Sequence, residues 1–155
     1  MKDELKGLEG KVRLEIFDEK GNIIKDTGFI KNTITNAGLA QIALLAGNAS
    51  AVPFTYLAVG TSSTPPQATQ TALAGEITDS GLGRASATVS RVTTTQTNDT
   101  LQLVKLFNVS GSKTVEEAGI FNDPTAGTML GRVLTGTLSL VANYSIQITY
   151  QVKIA

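Results

Sequence analysis

The stretch from Tyr144 to Ile154 constrains this chain more than any other. Tyr144, Ile146, Ile148, Tyr150, Val152 and Ile154 alternate without a break with Ser145, Gln147, Thr149, Gln151 and Lys153. Successive side chains of a strand point to opposite faces, so this spacing predicts one long strand, apolar on one face and polar on the other. A helix would mix the two sets. A strand of this length with a clean apolar face belongs in a sandwich or barrel.

The same period of two opens the chain's other end. Val12, Leu14 and Ile16 alternate with Lys11, Arg13 and Glu15, the run Asp18-Glu19-Lys20-Gly21-Asn22 has turn chemistry, and Ile23 to Lys31 returns. This predicts a β-hairpin with a bulge or bend at Gly28. Asn36 to Ala46 is the one convincing helix: Asn36 stands where a cap is needed, Leu39, Ile42 and Leu45 keep helical spacing, and Gly47 ends it. Its small residues, among them Gly38 and Ala43, permit close approach to a sheet.

Further strands are predicted at Phe54–Val59, Arg84–Val92, Leu101–Val109, Thr114–Phe121 and Thr128–Leu134, with Gly136 as a bend. Lys105 interrupts an otherwise apolar face, which a bulge or an edge position would explain. Pro65-Pro66 places the segment TSSTPPQATQT in an extended surface loop. The expectation is an all-β, single-domain β-sandwich or jelly roll with one short helix near residues 36–46. Jelly-roll connectivity is the first guess. Residues 1–10 are read as a flexible N-terminal segment, either a frayed end or an arm that orders on a neighbour, and residues 11–155 as the domain.

Composition removes several functions. Thirteen basic residues balance thirteen acidic ones, so the basic excess that drives nucleic-acid binding is missing. There is no His and no Cys. That excludes Ser-His and Cys-His nucleophiles, structural zinc sites and disulfides. No apolar run approaches the ~20 residues of a membrane helix and no signal-peptide core follows Met1, which predicts a chain made in the cytoplasm with no membrane partner.

The carboxylates are the remaining chemistry. Glu116 and Glu117 are neighbours on a predicted strand and should face opposite ways. Asp18, Asp26, Asp79, Asp99 and Asp123 all sit in predicted turns, where Asp bonds locally. A carbohydrate-active domain would need two carboxylates roughly 5–10 Å apart in a cleft, and is the minor alternative. Neither the loop at 79 nor 122–127 gathers enough oxygen ligands for Ca²⁺. Gly81-Leu82-Gly83-Arg84 precedes a strand, so it fails as a dinucleotide loop. No catalytic, cofactor-binding or metal residue is expected, nor a small-molecule substrate. Arg84, Arg91 and Arg132 are either solvated or paired with carboxylates of a neighbouring subunit. Leu5, Leu8, Arg84 and Arg132 are the candidate interface residues.

Five blocks carry a family resemblance: KNTITNAGLAQIALLAG (31–47), FTYLAVGTSSTPPQATQTALAGEI (54–77), EEAGIFN (116–122), GTMLGRVL (127–134) and YSIQITYQVKI (144–154). Together they resemble a family of small tailed-bacteriophage virion proteins, described as head decoration (auxiliary capsid) proteins and also as tail-fibre or baseplate proteins. The resemblance covers roughly residues 11–155 and contains no catalytic signature. It implies a jelly-roll-like subunit, a homotrimer, and attachment to the major capsid protein at three-fold sites on the capsid exterior. It also implies a stabilising, non-enzymatic role on the virion. The runner-up is a tail-fibre or baseplate component contacting the host surface.

Overall fold

The strand predicted from Tyr144 onward becomes the centre of a sheet. In a computed structural model, which describes residues 8–154, β10 (Ser145–Lys153) pairs along its whole length with β1 (Glu9–Phe17) on one side and β7 (Thr100–Asn108) on the other. β2 (Ile23–Lys31) and β6 (Thr88–Val92) flank them, giving the order β2-β1-β10-β7-β6. The second sheet runs β3-β9-β8-β4-β5, from β3 (Thr33–Ile34), β9 (Met129–Leu140), β8 (Lys113–Phe121), β4 (Tyr56–Gly60) and β5 (Ala85–Ser86). All the pairings are antiparallel.

The sheets face each other across one apolar core. Val12, Leu14 and Ile16 of β1 join Ile146, Ile148, Tyr150 and Val152 of β10, and meet Val59, Ile120, Leu130, Val133 and Leu138 of the second sheet. The chain is therefore the expected all-β sandwich with one short helix. The strand orders, which the alternation left open, put the consecutive pairs β1–β2, β6–β7 and β8–β9 side by side within a sheet. Alternation specifies which face a strand buries, not its neighbours.

Several boundaries moved. β1 begins at Glu9, not Lys11, because Glu9 and Gly10 pair with Lys153 and Val152. Leu8 packs against the core, so the structured region starts before residue 11. Ile154 leaves the ladder and is 56% exposed. Gly136 interrupts β9 without ending it: it takes a positive φ of 72° where the β8–β9 register shifts, and the strand continues to Leu140. Gly28 makes the expected bulge, with φ +64° opposite Leu14. Lys105 lies on the part of β7 that β6 does not cover, so the edge explanation holds there.

Helix α1 (Asn36–Gly47) is capped by Thr35 and not by Asn36. Thr35 Oγ1 accepts the Gly38 N–H at 2.9 Å and donates to the Met129 carbonyl of β9, so one hydroxyl starts the helix and anchors it to the sheet. Gly38 then fits where nothing larger does, since a Cβ there would lie 2.7 Å from Leu130 Cα.

Candidate functional site

The outer face of the second sheet holds two ion pairs, Glu117–Arg132 and Glu76–Arg84. Beyond the irregularity at Glu116, β8 turns Ala118 and Ile120 into the core, and Glu117, Gly119 and Phe121 outward. Arg132 of β9 faces the same way. The segment after β4 crosses this face and is tied to it at both ends. Thr61 N–H donates to Gly75 O at 2.8 Å, and Ile77 N–H to Val59 O at 2.9 Å.

Glu117 is the anchor under that segment. It accepts the Gly75 N–H at 2.7 Å, the Ala74 N–H at 3.2 Å and Arg132 Nε at 2.6 Å. Arg132 Nη1 donates to Thr64 O at 2.7 Å and Gln70 Oε1 at 3.3 Å. The Arg132 and Glu117 side chains are 1% and 0% exposed. A buried ion pair of this kind stands only if its remaining polar atoms are also satisfied. Arg132 Nη2 alone lacks an acceptor among the described residues. Gly60 is required beneath the carboxylate, because any Cβ would collide with Glu117 Oε1.

A second pair closes the far end. Arg84 Nε and Nη2 grip the two oxygens of Glu76 at 3.1 and 2.6 Å, and Nη1 reaches Asp123 O at 3.0 Å and Ala126 O at 2.7 Å. Its guanidinium lies 3.6 Å from the Phe121 ring centroid, a cation–π contact. Phe121 packs with Ala58, Leu73 and Met129 in a small apolar cluster on this face.

The candidate interface arginines are thus both engaged inside the chain. Arg84 and Arg132 meet Glu76 and Glu117 of their own subunit, and Arg132 has no surface to present. Sequence reading could not see this, since Glu76 falls in a segment with no clear period and the partners come from different elements. Leu8 is half-buried on the core, and Leu5 lies outside the described residues. Arg91 is exposed on β6.

The other carboxylates serve turns. Asp99 accepts the N–H groups of Gln96, Thr94 and Thr95, which hold its carboxyl well below the ordinary range. Asp18 is lowered by the Asn22 N–H, and Asp79 by Lys113 at 2.8 Å. Asp26 is held at about 2, first by Arg13 and then by the Gly28 N–H. These groups favour the ionised form, the opposite of the raised carboxyl a glycosidase acid needs. Glu116 and Glu117 do separate as expected: Glu116 accepts Thr137 Oγ1 at 2.7 Å in an exposed setting, and Glu117 is enclosed. Among the described residues, no three His, Cys, Asp or Glu side chains come together to hold a metal. No helix among them is long and apolar enough to cross a membrane.

No family model, no curated protein and no solved structure matches this chain. The surface is therefore the remaining guide. An open groove of about 380 Å³ lies at one end of the first sheet, between Lys11, Lys31, Lys153, Phe29 and Thr94. Lys11 Nζ sits 4.5 Å from the Phe29 ring centroid. A groove of about 480 Å³ runs beside Arg84 and Pro124. Apolar side chains stand outward elsewhere: Ile23, Ile24 and Phe29 on β2, Leu39 and Leu44 on α1, and Val52 beyond it.

Proposed function

We propose that the chain is a non-enzymatic structural subunit of a tailed-bacteriophage particle, bound to the capsid exterior as a decoration protein that stabilises it. One observation carries the reading. The enclosed Glu117–Arg132 pair uses its charges to hold the chain's own loop, while large apolar side chains are left on the outside. Outward apolar patches mark contacts with other proteins. The resembling blocks fall on the same parts. Block 31–47 contains α1, 54–77 contains β4 and the clamped segment, 116–122 contains Glu117, and 127–134 contains Arg132. A homotrimer seated on the major capsid protein at three-fold sites is the arrangement that the resemblance implies.

The test is to mix purified chain with capsids assembled without it. Saturable co-sedimentation and a higher temperature of particle rupture are expected. No binding, or binding with unchanged rupture temperature, overturns the reading. Labelled chain found in a few copies at the tail would assign it to a fibre or baseplate instead.

A further inference from the structure

Lys11 of β1 and Lys31 of β2 stand directly opposite each other across two paired strands. Like charges in that position repel and weaken a sheet. Lys11 is also opposite Gln151 of β10, and Lys153 lies two residues further along on the same face. All three lysines line one groove of about 380 Å³ on the outside of the first sheet. Among the described residues, none of the three makes an ion pair.

The same face treats its next cation differently. Arg13, two residues from Lys11, has Asp26 at 2.6 Å and Glu15 at 3.7 Å. Two acids lie near the lysines. Glu9 lines the groove opposite Lys153, and offsets one of the three charges at most. The Asp99 carboxylate is turned to its own loop, where it accepts the N–H groups of Thr94, Thr95 and Gln96. Positive charge is therefore in excess. A local rule broken without local compensation points to function, and what this groove lacks is an anion.

The rest of the lining narrows the choice. Lysine only donates, so a bare phosphate or sulfate would need nothing else. This groove also offers acceptors. Gln151 Nε2 donates to Gln102 Oε1 at 2.7 Å, which leaves Gln151 Oε1 to accept. Thr95 is exposed, and its hydroxyl can both donate and accept. Phe29, 44% exposed, adds an apolar wall and keeps Lys11 Nζ 4.5 Å from its ring centroid. Cations, acceptors and an aromatic flank together suit a ligand that carries a carboxylate, hydroxyl groups and a partly apolar ring.

Geometry disfavours an acidic peptide. An extended peptide adds along a free strand edge through backbone hydrogen bonds. The groove instead crosses the faces of β2, β1 and β10, with Thr94 and Thr95 at its far side. Its volume of about 380 Å³ falls at the small end of ligand sites, which run from roughly 300 to 1,000 Å³.

We infer that this groove binds an acidic saccharide. Lys11, Lys31 and Lys153 hold the carboxylate, and Gln151 and Thr95 meet the hydroxyl groups. The ligand is bound and not turned over. The inference does not rest on the capsid reading, because the groove lies on the first sheet, away from the clamped loop and α1 on the second.

The test is calorimetric titration of the full chain with a galacturonic acid trisaccharide at low salt. Saturable binding at one site is expected, weakened by added salt. The uncharged galactose trisaccharide should bind about tenfold more weakly or not at all. Lys31→Gln and Lys153→Gln should each weaken binding about fivefold, the order of one exposed ion contact. Lys31→Gln should not lower the melting temperature, because it removes a repulsion. Lys25→Gln, on β2 but outside the groove, should bind as wild type does. No binding of the uronate, equal binding of the neutral sugar, or lysine variants that bind as wild type does, overturns the inference. The comparison of the two sugars on wild type decides the matter even where a variant fails to fold. A triglutamate peptide that binds as tightly as the uronate assigns the groove to an acidic protein segment, and overturns the inference. Inorganic phosphate that binds as tightly marks a bare-anion site, and overturns it too.

Discussion

Arg132 and Glu117 meet diagonally across two neighbouring strands. Arg132 stands directly opposite Gly119, and Glu117 opposite Leu134, yet Nε and Oε2 are 2.6 Å apart with both side chains closed to solvent. Gly119 supplies no side chain between them. The pair fastens a loop whose Gly75 and Thr64 lie 42 and 68 residues from their partners.

Removing one member leaves a buried charge without compensation. Glu117→Gln should therefore cost about 3–5 kcal/mol. Chemical denaturation should show a lower midpoint with an unchanged slope. Glu117→Leu combined with Arg132→Met should cost less than the sum of the two single changes. An additive result would show that the pair is uncoupled.

β10 gives a paired prediction. Ile148 has no exposure, so Ile148→Ala should cost about 2–5 kcal/mol through lost burial and a cavity. Gln147, next to it, faces the outer side of the sheet, and Gln147→Ala should cost under about 0.5 kcal/mol. Equal losses in a urea titration would mean that the assigned faces are wrong.

Asp26 sets part of the acid response. Its carboxyl is held at about 2, against an ordinary 3.8, by the Arg13 guanidinium and then the Gly28 N–H. The folded state binds this proton less readily than the unfolded chain. Its contribution is therefore complete above pH 3.8 and is lost as pH falls toward 2. Melting temperatures between pH 4 and pH 2 should fall less steeply in Asp26→Asn than in wild type. Parallel curves would remove Asp26 from the acid response.

Gly38 reverses an ordinary helix rule. Gly to Ala within a helix usually stabilises by roughly 0.5–1 kcal/mol. Here the new methyl would press on Leu130 Cα, so Gly38→Ala should instead destabilise by about 1–3 kcal/mol. A higher melting temperature for Gly38→Ala would show that α1 can move off the sheet without loss.

What could be read from the chain was local. The alternation of Ile146, Ile148, Tyr150 and Val152 gave the central strand and its buried face, because side-chain direction repeats every two residues whatever the neighbours are. Gly28 showed its bulge for the same reason: a positive φ at a bulge within a hairpin strand is a property of a few consecutive residues. The helix span was legible within a residue, but its cap was not. Asn36 and Thr35 are both capping types, and the Met129 carbonyl decided between them.

The candidate site was decided by tertiary structure alone. Sequence presented Arg84 and Arg132 as charges with no partner in view, and placed Glu117 correctly on one face without saying what that face met. Which strands lie side by side depends on contacts between residues far apart in the chain, and no local period encodes that distance. Folding put β8 next to β9, laid the segment after β4 over them, and enclosed Arg132 with Glu117 in a low-dielectric layer where unpaired charges could not stand, with Arg84 and Glu76 partly buried beside them. The sequence by itself determined a sandwich of alternating strands. The three-dimensional packing determined that Arg84 and Arg132 turn onto glutamates of their own chain and that its one helix turns an uncharged face to the outside.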